Sequence, residues 1–201
     1  MSWIKTISYE AATGKLKRLY DKVKGPNNNI DNVLKIHSLR PHTLNGHMVL
    51  YKSVLHHNGN TFPKWYLETL GTFVSHLNKC QYCVDHHAQG LKRNLEDDVR
   101  FKEIYKAIEE DTIENIFDGK FLAGIQYARL LTLNHPSITE ATIQNLRSEG
   151  LDDGEILEIN QVVSYFNYVN RMVVGLGVNT DGDIIGLSPN NNDDPESWSH
   201  S

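Results

Sequence analysis

Glu68-Thr-Leu-Gly-Thr-Phe-Val-Ser-His-Leu-Asn78-Lys79-Cys80-Gln81-Tyr82-Cys83-Val84-Asp85-His86-His87 decides how this chain folds. Helical patterning runs up to about Leu77, is interrupted at Asn78-Lys79, and resumes from Cys80 to about Lys92. Were the helix unbroken, Glu68 would lie about 18 Å along the axis from Cys80, at ~1.5 Å per residue. If the chain reverses at the interruption, Glu68 and His87 stand on facing helices at heights differing by only about 3 Å. The second arrangement is a helical hairpin with a carboxylate and an imidazole facing each other across it.

Outward from the hairpin the pattern stays helical, and nothing reads as a sheet. Leu16, Leu19, Tyr20 and Val23 mark one face of a first helix from about Ser8 to Lys24, which Gly25-Pro26 and three asparagines end. A short helix around Asn32 to Ser38 precedes one from Pro41 to about His57. Pro63 stands where a first-turn proline belongs. Beyond the hairpin, helices are expected near Asp97 to Glu109, Gly119 to Leu133, and Thr139 to Gly150. The last helix has the clearest start. Asp152 and Glu155 form an acidic relative of the capping box, Leu151 and Ile156 occupy the staple positions, and apolar residues follow to about Leu176. The expected architecture is all-α, a compact bundle of about eight helices spanning residues 1–180, with a polar tail over 181–201.

Composition bounds the function. The 201 residues suit one domain with a sizeable core, and they are 39% hydrophobic and 22% charged. A net charge of −5, spread along the chain, gives no electrostatic reason for a nucleic-acid or anionic-membrane partner. No signal peptide or spanning run is visible, so the expected location is the cytoplasm. There a chain whose only two cysteines are spaced C-x-x-C uses them for redox or metal chemistry rather than as a staple.

On a helix, Cys80, Cys83 and His87 share one face, and residues at i and i+3 are close enough for a reversible disulfide. The unpaired amides at a helix start acidify a thiol, and Lys79 adds to this, which favours Cys80 as the more acidic sulfur. His87, one turn past Cys83, is placed to take that thiol's proton, and Glu68 to orient the imidazole. Other readings stand beside this one. The cysteines can instead be small core residues, and zinc would need a fourth ligand that the sequence does not offer. His86 points about 100° from His87, toward a surface or interface, and His56-His57 reads as solvated. Asn167 and Asn170, in an apolar helix, either satisfy a helix crossing or line a pocket.

The pattern Glu68-x11-Cys80-x-x-Cys83-x3-His87 resembles the AhpD-like alkylhydroperoxidase family of the carboxymuconolactone decarboxylase superfamily. Asn32-Val-Leu-Lys-Ile-His-Ser-Leu-Arg-Pro41 is similar to the segment before the core helices in that superfamily's peroxidase-related branch. Val163-Ser-Tyr-Phe-Asn-Tyr-Val-Asn-Arg171 with Gly175-Leu-Gly177 is similar to its closing helix. The resemblance covers residues from about 8 to 180. It implies an all-α fold, homo-oligomers (trimers or hexamers) and a thiol peroxidase in which Cys83 attacks the peroxide; no cofactor or metal is expected. In this pattern Cys80 resolves the oxidised sulfur, His87 acts as base and Glu68 as its partner. The implied partners are a hydroperoxide and a dithiol, lipoyl or thioredoxin-like reductant. Tyr82 stands where the best-studied members carry histidine, which leaves the detail of the relay open. Two other functions remain beside the peroxidase: a dithiol-disulfide oxidoreductase or redox sensor, and a decarboxylase-like protein. Decarboxylase members generally lack the cysteine pair, so its presence argues against lactone decarboxylation.

Overall fold

A computed structural model describes residues 2–194 and 196–198. Among the described residues there are nine α-helices and no strand, only one isolated bridge between His57 and Asn192. In chain order the helices are α1 Gly14–Val23, α2 Asn32–Lys35, α3 Pro41–Leu55, α4 Lys64–Leu77, α5 Gln81–Leu95, α6 Asp98–Glu109, α7 Gly119–Leu133, α8 Glu140–Ser148 and α9 Asp153–Gly175. Eight of these are long and α2 is a single turn, in agreement with the expected all-α bundle. The first helix begins later than its pattern suggests, at Gly14, which lies at φ +55.

α4 is the centre. Every residue from Tyr66 to Ser75 is buried, so the helix has no solvent face and must be surrounded. α5, α7 and α9 do this, and α9 comes closest at Gly71, where an added Cβ would lie 2.2 Å from Phe166. Only glycine leaves room for that ring against the α4 backbone. α9 starts as its sequence signals: Asp152 accepts from the Glu155 amide at 2.8 Å, and the Glu155 carboxylate accepts from the Asp152 amide at 3.1 Å. A second apolar cluster joins α1 to α2 and α3 around Tyr20, Ile30 and Met48, and Trp198 is buried in it.

The reversal between α4 and α5 is a Schellman motif. The Lys79 amide donates to His76 O at 2.9 Å and the Cys80 amide to Ser75 O at 2.9 Å, with Lys79 left-handed at φ +56. This turn makes Cys80 the N-cap of α5 and folds the helix back along α4.

Residues 181–194 run back over the helices. The Asp183 carboxylate accepts from the Asn32 amide at 3.0 Å and from the Tyr82 hydroxyl at 2.6 Å. Arg93 of α5 donates to Gly186 O and Ser188 Oγ, each at 2.8 Å, and Lys52 of α3, wholly buried, donates to Asn190 O. Residues 195 and 199–201 of the expected tail lie outside the described residues. No helix among the described residues is long and apolar enough to cross a membrane.

Candidate active site

The hairpin brings Glu68 and His87 together as its arithmetic requires. Glu68 Oε2 lies 2.8 Å from His87 Nδ1, and the glutamate is 1% exposed. A carboxylate only accepts, so the shared hydrogen belongs to Nδ1 and Nε2 is left as the exchanging nitrogen. The imidazole is held edge-on between Phe166, at 4.6 Å between ring centres, and Tyr51, at 6.2 Å. Gly90, one turn beyond His87 on α5, gives the carboxylate its room: a Cβ there would lie 2.7 Å from Glu68 Oε1.

Both cysteines are free thiols and both are buried. They differ in surroundings. Cys80 accepts a hydrogen bond from the Cys83 thiol, is stabilised further by the Cys83 amide and the Asn170 side chain, and its pKa is held below the ordinary thiol value despite burial. Cys83 is pushed well above that value, first because its proton is the one donated to Cys80 and second by burial. Cys80 is thus the more acidic thiol of the two, in keeping with its place at the helix start. Access is ordered the other way: Cys83 lines a pocket with Glu68 and His87, and Cys80 does not.

Asn170 and Asn167 serve the helix crossing and, for Asn170, the sulfurs as well. Asn78 Nδ2 donates to Asn167 Oδ1 at 3.1 Å and to Asn170 Oδ1 at 3.0 Å, and Asn170 Nδ2 donates to Ser75 Oγ at 3.0 Å. The amide that fixes the reversing turn thus also touches the sulfur pair.

The pocket holds about 640 Å³ of empty space, its mouth included, between α3, α5, α9 and the segment after residue 180. Its walls mix aliphatic groups (Leu34, Met48, Val169, Leu187) with Tyr51 and Tyr165. At the mouth, burial raises the Asp31 carboxyl to about 6. His86 corrects the expectation of a surface residue. Its side chain is mostly covered, Nδ1 accepts from the Gly186 amide at 3.4 Å, and Nε2 stands 3.6 Å from Asp183. His56 is likewise buried rather than solvated, because Lys64 donates to its Nδ1 at 2.9 Å from the next helix. Tyr82 stacks on His86 at 4.6 Å and commits its hydroxyl to Asp183, so it anchors the late segment.

Sequence reading did not find Tyr51, Tyr165, His47, Arg93 or Asp183. Arg93 lies on α5 itself but is tied to residues 186–188, and the others meet the cysteine hairpin from distant elements; helical periodicity carries no information about such pairings. Among the described residues no group of three or more histidine, cysteine or acidic side chains is set to hold a metal ion.

No family model and no curated protein matches the sequence. Solved structures do. An AhpD core, uncharacterized peroxidase-related protein from Ralstonia eutropha JMP134 superposes with TM-score 0.74 at 17% identity, over 89% of this chain and 92% of that one. An uncharacterized peroxidase-related protein from Silicibacter sp. TM1040 gives TM-score 0.72 at 21% identity, over 90% and 93%. The debrominase Bmp8, in complex with 2,3,4-tribromopyrrole, gives TM-score 0.68 at 12% identity, over 90% and 94%. The chain has the AhpD-like fold, shared with peroxidase-related proteins, as the motif resemblance implied. A debrominase has the same fold, so the chemistry must be argued from the site.

Proposed function

We propose that this protein is a thiol-dependent peroxidase that reduces hydroperoxides through a reversible Cys80–Cys83 disulfide. The observation that carries the reading is the Glu68–His87 pair at 2.8 Å, set in the same pocket as Cys83 and beside a second thiol. His87 Nε2 takes the Cys83 proton while Glu68 holds the ring and stabilises the imidazolium that forms. The Cys83 thiolate attacks the distal peroxide oxygen, the O–O bond breaks, and the alkoxide leaves as alcohol after taking a proton from His87. Cys83 is then a sulfenic acid. The Cys80 thiolate, acidified in the resting pair, attacks the Cys83 sulfur and expels hydroxide, which leaves as water after protonation. The two thiols have lost two electrons and the peroxide has gained them. A dithiol donor of lipoyl or thioredoxin type restores the pair.

Acidity alone would make Cys80 the first nucleophile. Access supports Cys83, since a substrate entering the pocket meets that sulfur. The lowered pKa of Cys80 then has its own use: it favours the thiolate needed for the second step, one helical turn from the sulfur it will attack.

The test is consumption of an organic hydroperoxide with dihydrolipoamide as reductant, with the sulfur states read by mass spectrometry. Cys83→Ser is expected to abolish turnover. Cys80→Ser is expected to react once and stop at a trappable sulfenic acid on Cys83. Trapping of the first oxidation on Cys80 in the wild-type chain would reverse the assignment. Rapid disulfide exchange with lipoamide but no peroxide consumption would favour a dithiol oxidoreductase.

A further inference from the structure

The buried tyrosines of this protein have hydrogen-bonded hydroxyls, with one exception. Tyr20 donates to Ile7 O at 2.9 Å, Tyr66 to Phe121 O at 2.7 Å and Tyr82 to Asp183 at 2.6 Å, while Tyr127 accepts from Asn160 at 2.7 Å. Tyr165 is only 4% exposed, yet among the described residues its hydroxyl has no hydrogen-bond partner, and the half-buried Tyr51 has none either. These two rings stack at 5.6 Å and 23°, one from α3 and one from α9, and both line the pocket that holds Cys83. Beside them His47 Nδ1 is buried and unpartnered on the same pocket wall. Neither tyrosine hydroxyl is fully enclosed, so both are open to the space of the pocket, where a ligand oxygen can take the hydrogen. The orphans converge on one place.

We propose that Tyr51 and Tyr165 donate their hydroxyl hydrogens to the oxygens of the bound hydroperoxide, and that the pocket selects against an anionic one. This rests on the peroxidase reading and adds to it the oxygen-binding residues and a charge selectivity. Leu34, Met48, Val169 and Leu187 fit an apolar body. The pocket's one guanidinium, Arg93, is committed to Gly186 O and Ser188 Oγ, and the carboxylates of Glu68 and Asp31 face the same space. An anionic substrate would meet two acidic groups and an occupied arginine.

The tyrosines act where charge develops. As the Cys83 sulfur bonds to the distal oxygen and the O–O bond breaks, its electron pair moves to the proximal oxygen, which leaves as an alcohol after accepting a proton from His87. Donors fixed in advance at that oxygen stabilise it without reorganisation. Burial holds both phenols well above 10, so they keep their hydrogens at neutral pH.

The experiment compares oxidation of Cys83 by cumene hydroperoxide with its alkylation by iodoacetamide, in wild type, Tyr51→Phe, Tyr165→Phe and the double variant. Each single change is expected to slow the peroxide reaction ~10-fold or more and to leave alkylation within ~2-fold, since iodide leaves without needing an oxygen donor. A peroxide rate unchanged in the double variant, or equal losses with both reagents, overturns the proposal. The analogue of cumene hydroperoxide carrying a ring carboxylate is expected to react ~10-fold more slowly than the parent, as an unpaired charge in an apolar site requires. Equal rates overturn the charge selectivity. Should wild type fail to oxidise at all, the peroxidase reading falls by itself, and calorimetry with cumyl alcohol then decides the tyrosines. Binding weakened in the double variant upholds their oxygen-binding role. Binding unaffected by it, or absent in wild type, refutes that role.

Discussion

Gly90→Ala tests whether the site depends on the position of the Glu68 carboxylate. The added methyl would stand 2.7 Å from Oε1, 2.8 Å from Cδ and 3.0 Å from Oε2 of Glu68. Unbonded heavy atoms settle at roughly 3.5 Å, so the carboxylate must retreat by about half an ångström or more. It is buried and bonded to His87, so the retreat is taken out of that 2.8 Å contact. Overpacking of this kind costs about 1–3 kcal/mol. Alanine in a helix interior returns about 1 kcal/mol relative to glycine. The net loss of about 0–2 kcal/mol lowers Tm by no more than ~8 °C in a chain of this size. Activity should suffer far more, because a misplacement near 1 Å costs up to ~100-fold in rate. The expected result is a folded variant whose kcat/KM for cumene hydroperoxide falls ~10- to 100-fold. Combining it with Glu68→Asp, which shortens the crowded side chain, should recover stability by ~1 kcal/mol relative to the sum of the two single changes. A Gly90→Ala protein with wild-type kcat/KM would refute the reasoning, since the carboxylate would then not need its place.

Three further outcomes follow from other contacts. Burial lowers the pKa of His37 to about 4 and of His47 to about 3, whereas unfolded histidine titrates near 6.5. Below ~6.5 the unfolded chain therefore binds more protons than the folded one, and Tm should fall as pH drops from ~6.5 toward ~4. Asp31, raised to about 6, acts in the opposite sense, since its unfolded carboxyl titrates near ~3.9 and it favours the folded state as pH falls through that interval. Two histidines outweigh one carboxyl, so the net slope is downward, and His47→Phe should flatten it in thermal melts run across that range. Asp183→Asn removes the carboxylate that takes the Tyr82 hydroxyl and the Asn32 amide, at a cost of about 1.5–3 kcal/mol. Limited proteolysis should then cut within residues 181–194 at protease levels that spare wild type. Tyr66→Phe loses a buried hydrogen bond to Phe121 O and should cost about 1 kcal/mol in urea melts, whereas Tyr165→Phe should cost nothing or stabilise.

What the sequence disclosed is local in origin. The Glu68–His87 contact followed from the rise of a helix and the position of one interruption. The start of α9 followed from Asp152 and Glu155, whose reciprocal bonds need no distant partner. The misreadings have a common cause. His56 looked solvated because it precedes a loop, but Lys64 and Asn191 reach it from elsewhere in the chain. His86 was assigned to the surface from its angle on α5, and the segment around Asp183 and Gly186 covers it. Residues 181–194 are polar in composition, yet many of those groups hold backbone and side-chain partners on α2, α3 and α5. Tyr51 and Tyr165 meet only because α3 packs on α9, and no spacing within either helix announces that.

The late segment gives the protein a division of labour along its own chain. The sulfurs, the imidazole and its carboxylate all lie between residues 68 and 87, whereas Gly186, Leu187, Ser188 and Pro189 form one side of the pocket and are joined to the helices mainly by hydrogen bonds. Substitutions there can change which molecules reach Cys83 while leaving the reacting groups untouched. Under the proposed reaction, the access side of the pocket at residues 186–189 can thus vary in sequence while the stretch from 68 to 87 stays as it is.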